Sequence, residues 1–200
     1  MSISLAKGQT LSLEKSGGRG LTKVFMGLGW DPAGSNEKKG FFGKLLGAAS
    51  GGDDIDLDAS VIVLDSAKTV LDTVSFSQLR SKDGSIQHDG DNLTGQGDGD
   101  DEVIHVDLTK LNSAAAYLVF TVNSFRGQTF NEVDNAVARL VDENGNKEIC
   151  KYTLAEQGSH TGVIMASLAK TSDGWKMTAH GVPATGRTVR DLANDAIRVL

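Results

Sequence analysis

Residues Ala136 to Leu154 read A-V-A-R-L-V-D-E-N-G-N-K-E-I-C-K-Y-T-L, and the fold is decided here. Ala136 to Val141 is a short apolar run, and Glu148 to Leu154 is an answering one. Between them Glu143-Asn144-Gly145-Asn146 carries Asn-Gly, the pair that best tolerates the left-handed backbone of a tight hairpin. The same pattern continues outward in both directions. Towards the C-terminus, Val163 to Ala169 and Trp175 to Ala179 pair across Ser172-Asp173-Gly174. Towards the N-terminus stand Tyr117 to Val122, continuous enough to be a central strand, and Val103 to Leu108, with Ile104, Val106 and Leu108 on one face and His105 and Asp107 on the other. Ala59 to Leu64, Lys23 to Trp30 and Thr10 to Leu13 complete the series. Only Val189 to Leu200 has helical spacing, through Leu192, Ala196 and Val199 or Leu200. Many short strands and one helix predict an all-β chain, a two-sheet β-sandwich with a short C-terminal helix.

The 200 residues suit one domain spanning 1–200, and the turns fall to 24 glycines because there are only 2 prolines. A net charge of −6 disfavours nucleic acid or anionic lipid as the principal partner. Cys150 is the only cysteine, so no internal disulfide or thiolate zinc cage can form; it is read as a buried structural thiol. The opening M-S-I-S-L-A-K-G-Q-T lacks a basic then apolar leader, and no apolar run reaches the roughly 20 residues of a bilayer span. The expectation is a cytoplasmic protein with no transmembrane segment.

One segment differs in kind. Residues 34–52, G-S-N-E-K-K-G-F-F-G-K-L-L-G-A-A-S-G-G, interrupt the strand-like passage. Phe41, Phe42, Leu45 and Leu46 fit one face of a short helix among Lys38, Lys39 and Lys44. That composition would suit docking to a membrane or partner. An inserted loop whose apolar residues cover the domain's own edge is the preferred reading.

The chemistry sits in acidic runs. His88 to Glu102 reads H-D-G-D-N-L-T-G-Q-G-D-G-D-D-E, without a Lys or Arg, and D-D-I-D-L-D occupies 53–58. Two carboxylates about 4 Å apart repel by about 1 kcal/mol in water and by several times that near a protein surface. Gathering them requires full solvation or a cation. Asp91 to Glu102 offers carboxylates, and its glycines let carbonyls turn inward, the ligand types that calcium takes. Asp56 and Asp58 alternate at a strand start, so both face one side, and Asp31 at the end of its strand can reach the same end of the sandwich. The competing reading is a solvated acidic loop; a second cluster beside a strand favours metal.

Other chemistries fit less well. Leu93 and Gln96 stand where an EF-hand needs an oxygen ligand and a glycine. The histidines lack zinc-ligand spacing, and His88 is read as a surface or supporting residue. No base follows Gly95-Gln96-Gly97 to hold a phosphate. Gly158-Ser159-His160-Thr161-Gly162 is a turn, since adjacent side chains on an extended chain point apart.

The opening S-I-S-L-A-K-G-Q, V-F-M-G-L-G-W-D-P at Val24 to Pro32, I-D-L-D-A-S at Ile55 to Ser60, the acidic run and R-L-V-D at Arg139 to Asp142 together resemble the TerD family of tellurium-resistance and general stress proteins. The insertion is most similar to its TerX-type or SCP2-type branch. The resemblance implies a β-sandwich binding two calcium ions at one end. It maps the ligands onto Asp56, Asp58, Asp91, Asn92, Asp100, Asp101 and Glu102, with carbonyls around Thr94, Gly95 and Gly97. It implies bacterial resistance to tellurite, phage and chemical stress, and association with other Ter-family proteins and a membrane-bound Ter complex. The stretch Asn123 to Glu132 is less basic than the family pattern, which weakens it as a partner surface.

Three functions remain: a calcium-binding stress-response adaptor with no catalytic residues, a metal-dependent phosphoester or nucleotide-processing enzyme, and calcium-bridged carbohydrate recognition. The first accounts for most of the sequence.

Overall fold

The computed structural model describes residues 2–13, 21–32, 56–91, 99–155 and 157–200. The 34–52 insertion lies outside them. Among these residues twelve strands and one α-helix follow in chain order: β1 Ile3–Leu5, β2 Thr10–Ser12, β3 Lys23–Pro32, β4 Leu57–Asp65, β5 Val70–Val74, β6 Ile86–His88, β7 Glu102–Asp107, β8 Ala115–Ser124, β9 Val133–Asp142, β10 Lys147–Thr153, β11 Gly162–Thr171, β12 Gly174–Ala184 and α1 Val189–Arg198. They form two six-stranded sheets, ordered β1-β10-β9-β3-β7-β6 and β2-β12-β11-β8-β4-β5. All pairings are antiparallel except β1 with β10.

The hairpin that decided the fold is β9–β10. Asp142 pairs with Lys147 around the four-residue turn, and the left-handed residue is Asn146, with φ 43°, while Gly145 stays at negative φ. Asparagine bears that conformation because its short polar side chain can bond locally. A bulge between Glu148 and Cys150 then restores the inward register. Strand β8 lies inside its sheet, between β11 and β4, which accounts for its unbroken apolar run.

Alternation sorts the side chains into two cores. Val24, Met26, Leu28 and Trp30 of β3 meet Leu57, Ala59, Val61 and Val63 of β4 between the sheets. On the far side of the second sheet Ile62, Leu64, Val119 and Ile164 receive Val189, Leu192 and Ala196 of α1. The helix is therefore the lid of β4, whose first eight residues are all buried. Thr188 caps it, with Asp191 Oδ2 accepting the Thr188 N–H at 3.0 Å. Full burial of Leu192 stabilises this docking by roughly 2 kcal/mol.

The short strands β1, β5 and β6 are additions to the sequence reading. All three are edge strands, at which few apolar positions are needed.

Candidate metal centre

Strand β4 enters at the end of the sandwich where the acidic runs meet. Asp56 precedes it and Asp58 is its second residue. Carboxylate oxygens of Asp56, Asp58 and Asp91 all lie within 4.8 Å of one another. Asp56 and Asp58 are buried and Asp91 is exposed, so the group opens to solvent on one side. Burial, then the charges of Glu102, Asp56 and Asp91, push the Asp58 carboxyl up to about 7, although the Phe125 N–H donates to it. Burial also holds Asp56 above its ordinary value; Arg126 pulls it down and Asp91 pushes it up. Asp56 Oδ1 is buried without a hydrogen-bond partner. An orphaned carboxylate oxygen aimed among other carboxylates is a place for a cation, and the donor set is all oxygen, as calcium prefers.

Glu102 turns inward at the start of β7 and is 2 % exposed. Its Oε2 accepts the Ala59 N–H at 2.6 Å and lies 3.2 Å from His88 Nε2. The Gly90 N–H donates to His88 Nδ1 at 3.1 Å, which places the ring proton on Nε2, facing the Ala59 carbonyl at 3.1 Å. His88 is thus a fully buried brace that ties β6 to β4 and β7, where the sequence suggested a surface or supporting position. It fixes the start of the loop that carries Asp91.

Asp100 and Asp101 lie on the first sheet. Arg139 grips Asp100 with two bonds, Nε to Oδ1 at 2.6 Å and Nη2 to Oδ2 at 2.7 Å, and its guanidinium sits 5.4 Å from the centre of the Phe25 ring. The turn can lie this close to β3 only because Gly27 and Gly29 have no side chains. A Cβ on Gly27 would stand 2.2 Å from the Asp100 carboxylate, and one on Gly29 would stand 2.7 Å from the Gly99 carbonyl oxygen. Asp101 accepts the Trp30 N–H at 2.7 Å, and Asp31 accepts from Asn135 Nδ2 at 2.8 Å. Burial and the charges of Asp31, Glu102 and Asp100 hold Asp101 above its ordinary value against that Trp30 bond.

The structure therefore brings Asp56, Asp58 and Asp91 together and sets Asp31 with Asp101 on the first sheet. Asp100 is bound to an arginine. Asn92, Thr94, Gly95 and Gly97 lie outside the described residues.

Arg126, Asn123 and Arg139 all touch these carboxylates and were missed by the sequence reading. Arg139 had a signal in the R-L-V-D motif; the other two depend on the register of β8 against β4, in which Asn123 faces Asp58.

Elsewhere Cys150 is fully buried, its Sγ 3.3 Å from Met177 Sδ, and burial pushes the thiol up to about 12. Ser167 Oγ lies 2.8 Å from His180 Nε2, but the serine is 2 % exposed, which leaves no route for a substrate. Among the described residues no helix is long and apolar enough to cross a membrane.

The profile described as the TerD domain matches residues 1–195. This chain belongs to the TerD family. It is 49 % identical over 195 residues to the tellurium resistance protein TerZ of Serratia marcescens, covering 98 % of this chain and 97 % of that one. It is 42 % identical to the stress response protein SCP2 of Bacillus subtilis (strain 168), over 96 % of this chain and 98 % of the relative. The family is thus one of tellurium resistance and general stress response. Among solved structures, a homologue of telluride resistance protein (TerD) from Streptomyces coelicolor A3(2) superposes with a TM-score of 0.66 at 20 % identity, covering 87 % of this chain and 96 % of that one. At that identity the likeness is one of TerD fold alone.

Proposed function

We propose that this TerD-family chain is a calcium-binding module of the tellurite and stress response, without catalytic activity of its own, whose ion-ordered end is presented to partners. The observation that carries this reading is the convergence of Asp56, Asp58 and Asp91 around a buried, unbonded Asp56 oxygen. These residues would hold the ion, and the ion would supply the positive charge that offsets their repulsion. Asp31 and Asp101 are the pair we assign to a second ion. Loading couples to folding, because an ion held by the native arrangement and not by the unfolded chain stabilises the fold by mass action.

The partners in this reading are other Ter-family proteins and through them a membrane-bound Ter complex, with the protein itself cytoplasmic. The names of the relatives, tellurium resistance and stress response, support the tellurite and stress part of this reading.

The test is calorimetric titration of chelator-treated protein with calcium and magnesium, together with thermal unfolding. Calcium should bind more tightly than magnesium and raise the melting temperature, and Asp58→Asn with Asp91→Asn should remove both effects. No heat and no stabilisation at millimolar calcium would refute the reading.

A further inference from the structure

Strand β8 ends in a turn that reaches over the acidic group. Ser124, fully buried, pins this turn: its Oγ accepts the N–H groups of Gly127 at 3.0 Å and Gln128 at 2.9 Å. Gly127 takes φ 91°, and the Arg187 guanidinium lies where its side chain would be. The backbone at Arg126 is thereby fixed. The Arg126 side chain, 54 % exposed, bends back so that Nε stands 2.7 Å from Asp56 Oδ2.

Among the described residues, two buried acceptors here lack a donor. Asp56 Oδ1 has no partner, and neither has Oδ1 of Asn123, which is 1 % exposed. Asn123 uses its Nδ2 on the Arg187 carbonyl at 2.8 Å and on Asp58 Oδ2 at 3.4 Å. The Arg187 carbonyl can only accept, so the Asn123 amide is oriented with its oxygen left over. Two buried, unbonded acceptors thus sit by the acidic group, Asp56 Oδ1 just before β4 and Asn123 Oδ1 on β8, where Asn123 pairs with Asp58. Buried acceptors without donors are costly, and beside clustered carboxylates a cation satisfies both and offsets the repulsion as well.

We propose that Arg126 is the built-in counter-ion of this site, and that a divalent cation displaces it from Asp56, taking Asn123 Oδ1 as an additional ligand. The inference rests on the calcium reading above and adds to it what holds the site together before the ion arrives. A single guanidinium offsets one of the three carboxylate charges. A divalent ion among the same carboxylates carries twice that charge, offsets more of their repulsion, and weakens the hold of Asp56 on the guanidinium beside it. With the backbone pinned, the exchange needs only side-chain rotation. It turns the Arg126 charge outward beside Phe125, which is 51 % exposed and packs edge-on against Phe76 at 5.8 Å. Ion binding would then change the charge displayed next to an exposed aromatic pair.

The test is calcium titration of the full chain as wild type, Arg126→Gln and Arg190→Gln, with a nitrogen-15 NMR spectrum of the arginine Nε–H groups. Arg126 is half-exposed, so its substitution should leave the fold intact, and Arg190 controls for loss of the same charge at an exposed position. The expected result is binding tightened about five- to tenfold in Arg126→Gln and by distinctly less in Arg190→Gln. The Arg126 Nε–H signal, protected in chelator, should be lost to solvent exchange as calcium saturates. Calcium binding by Arg126→Gln alone would support the same exchange with a tighter counter-ion. Equal affinity in wild type and Arg126→Gln, equal gains in both variants, or a signal unchanged at saturation would overturn the inference and leave the calcium reading standing. No binding by any of the three proteins would overturn both.

Discussion

Asp58→Asn is the substitution that most directly weighs the charge gathered at the end of the sandwich. In the cation-free protein burial and neighbouring carboxylates push Asp58 from 3.8 up to about 7. A carboxyl whose folded value is raised holds its proton in the folded state over a range in which the unfolded chain has released it. Asp58 therefore leaves stability untouched below its unfolded value, erodes it as pH rises from about 4 to about 7, and leaves a constant deficit above. The displacement corresponds to at most roughly 4 kcal/mol, or on the order of 10 °C for a domain of this size. Asparagine keeps the shape and removes the charge. In chelator the melting-temperature difference between Asp58→Asn and wild type should grow in favour of the variant between pH 4.5 and 8. Saturating calcium should reverse the order, since only wild type retains the ligand. Taking the difference between the two proteins cancels titrations of groups distant from Asp58. A difference that stays flat across this range in chelator would refute the reasoning.

Three further outcomes follow from other parts of the molecule. Gly29→Ala forces a Cβ against the Gly99 carbonyl at 2.7 Å and should cost about 1–3 kcal/mol in urea unfolding, as overpacking does; an unchanged midpoint would show that the acidic turn does not need this approach. Cys150 should ignore a thiol reagent in the native protein and react in full once unfolded, because burial raises the thiol to about 12; fast native reaction would reopen direct tellurite chemistry at this residue. Partial burial opposes protonation of His105, but Glu143 and Asp89, bonded to its two ring nitrogens, outweigh it and hold its pKa above the ordinary imidazole value. Its contribution to stability is therefore full below about 6.5 and fades as pH rises through the folded value; NMR titration should show Glu143→Gln bringing that value down, and no change would dismiss the pairing.

The architecture was legible because its signals are local. Period-2 alternation in Val103 to Leu108 became β7 with Ile104 and Val106 in the core, and the Asn-Gly turn became a true hairpin. Leu192 and Ala196 marked the buried face of α1. What escaped was edge structure. Strand β6 spans only Ile86–His88, too short to show a period, and it exists because β7 offers it a partner. Strand ends were also longer than read: β8 runs through Ser124, since Asn123 and Ser124 find their bonds in neighbouring strands and loops and need no apolar character.

The site was legible in its anions and illegible in its cations, for a physical reason. Carboxylates needed for one ion cluster along the chain, where two acidic runs already reveal an electrostatic problem. Their counter-charges need only be near in space. Arg126 meets Asp56 because Asp58 pairs with Asn123 across β4 and β8, residues far apart in sequence. Arg139 meets Asp100 because two glycines of β3 let the acidic turn lie down beside it. Judged by its overall charge, the stretch from Asn123 to Glu132 looked too weakly basic to matter. Yet the guanidinium it does carry stands against Asp56, a buried member of a carboxylate trio. At short range, and away from bulk solvent, where a single charge is placed counts for more than how many the segment holds. The consequence bears on how such a site evolves: carboxylates can be kept while affinity is retuned by replacing one half-exposed arginine side chain.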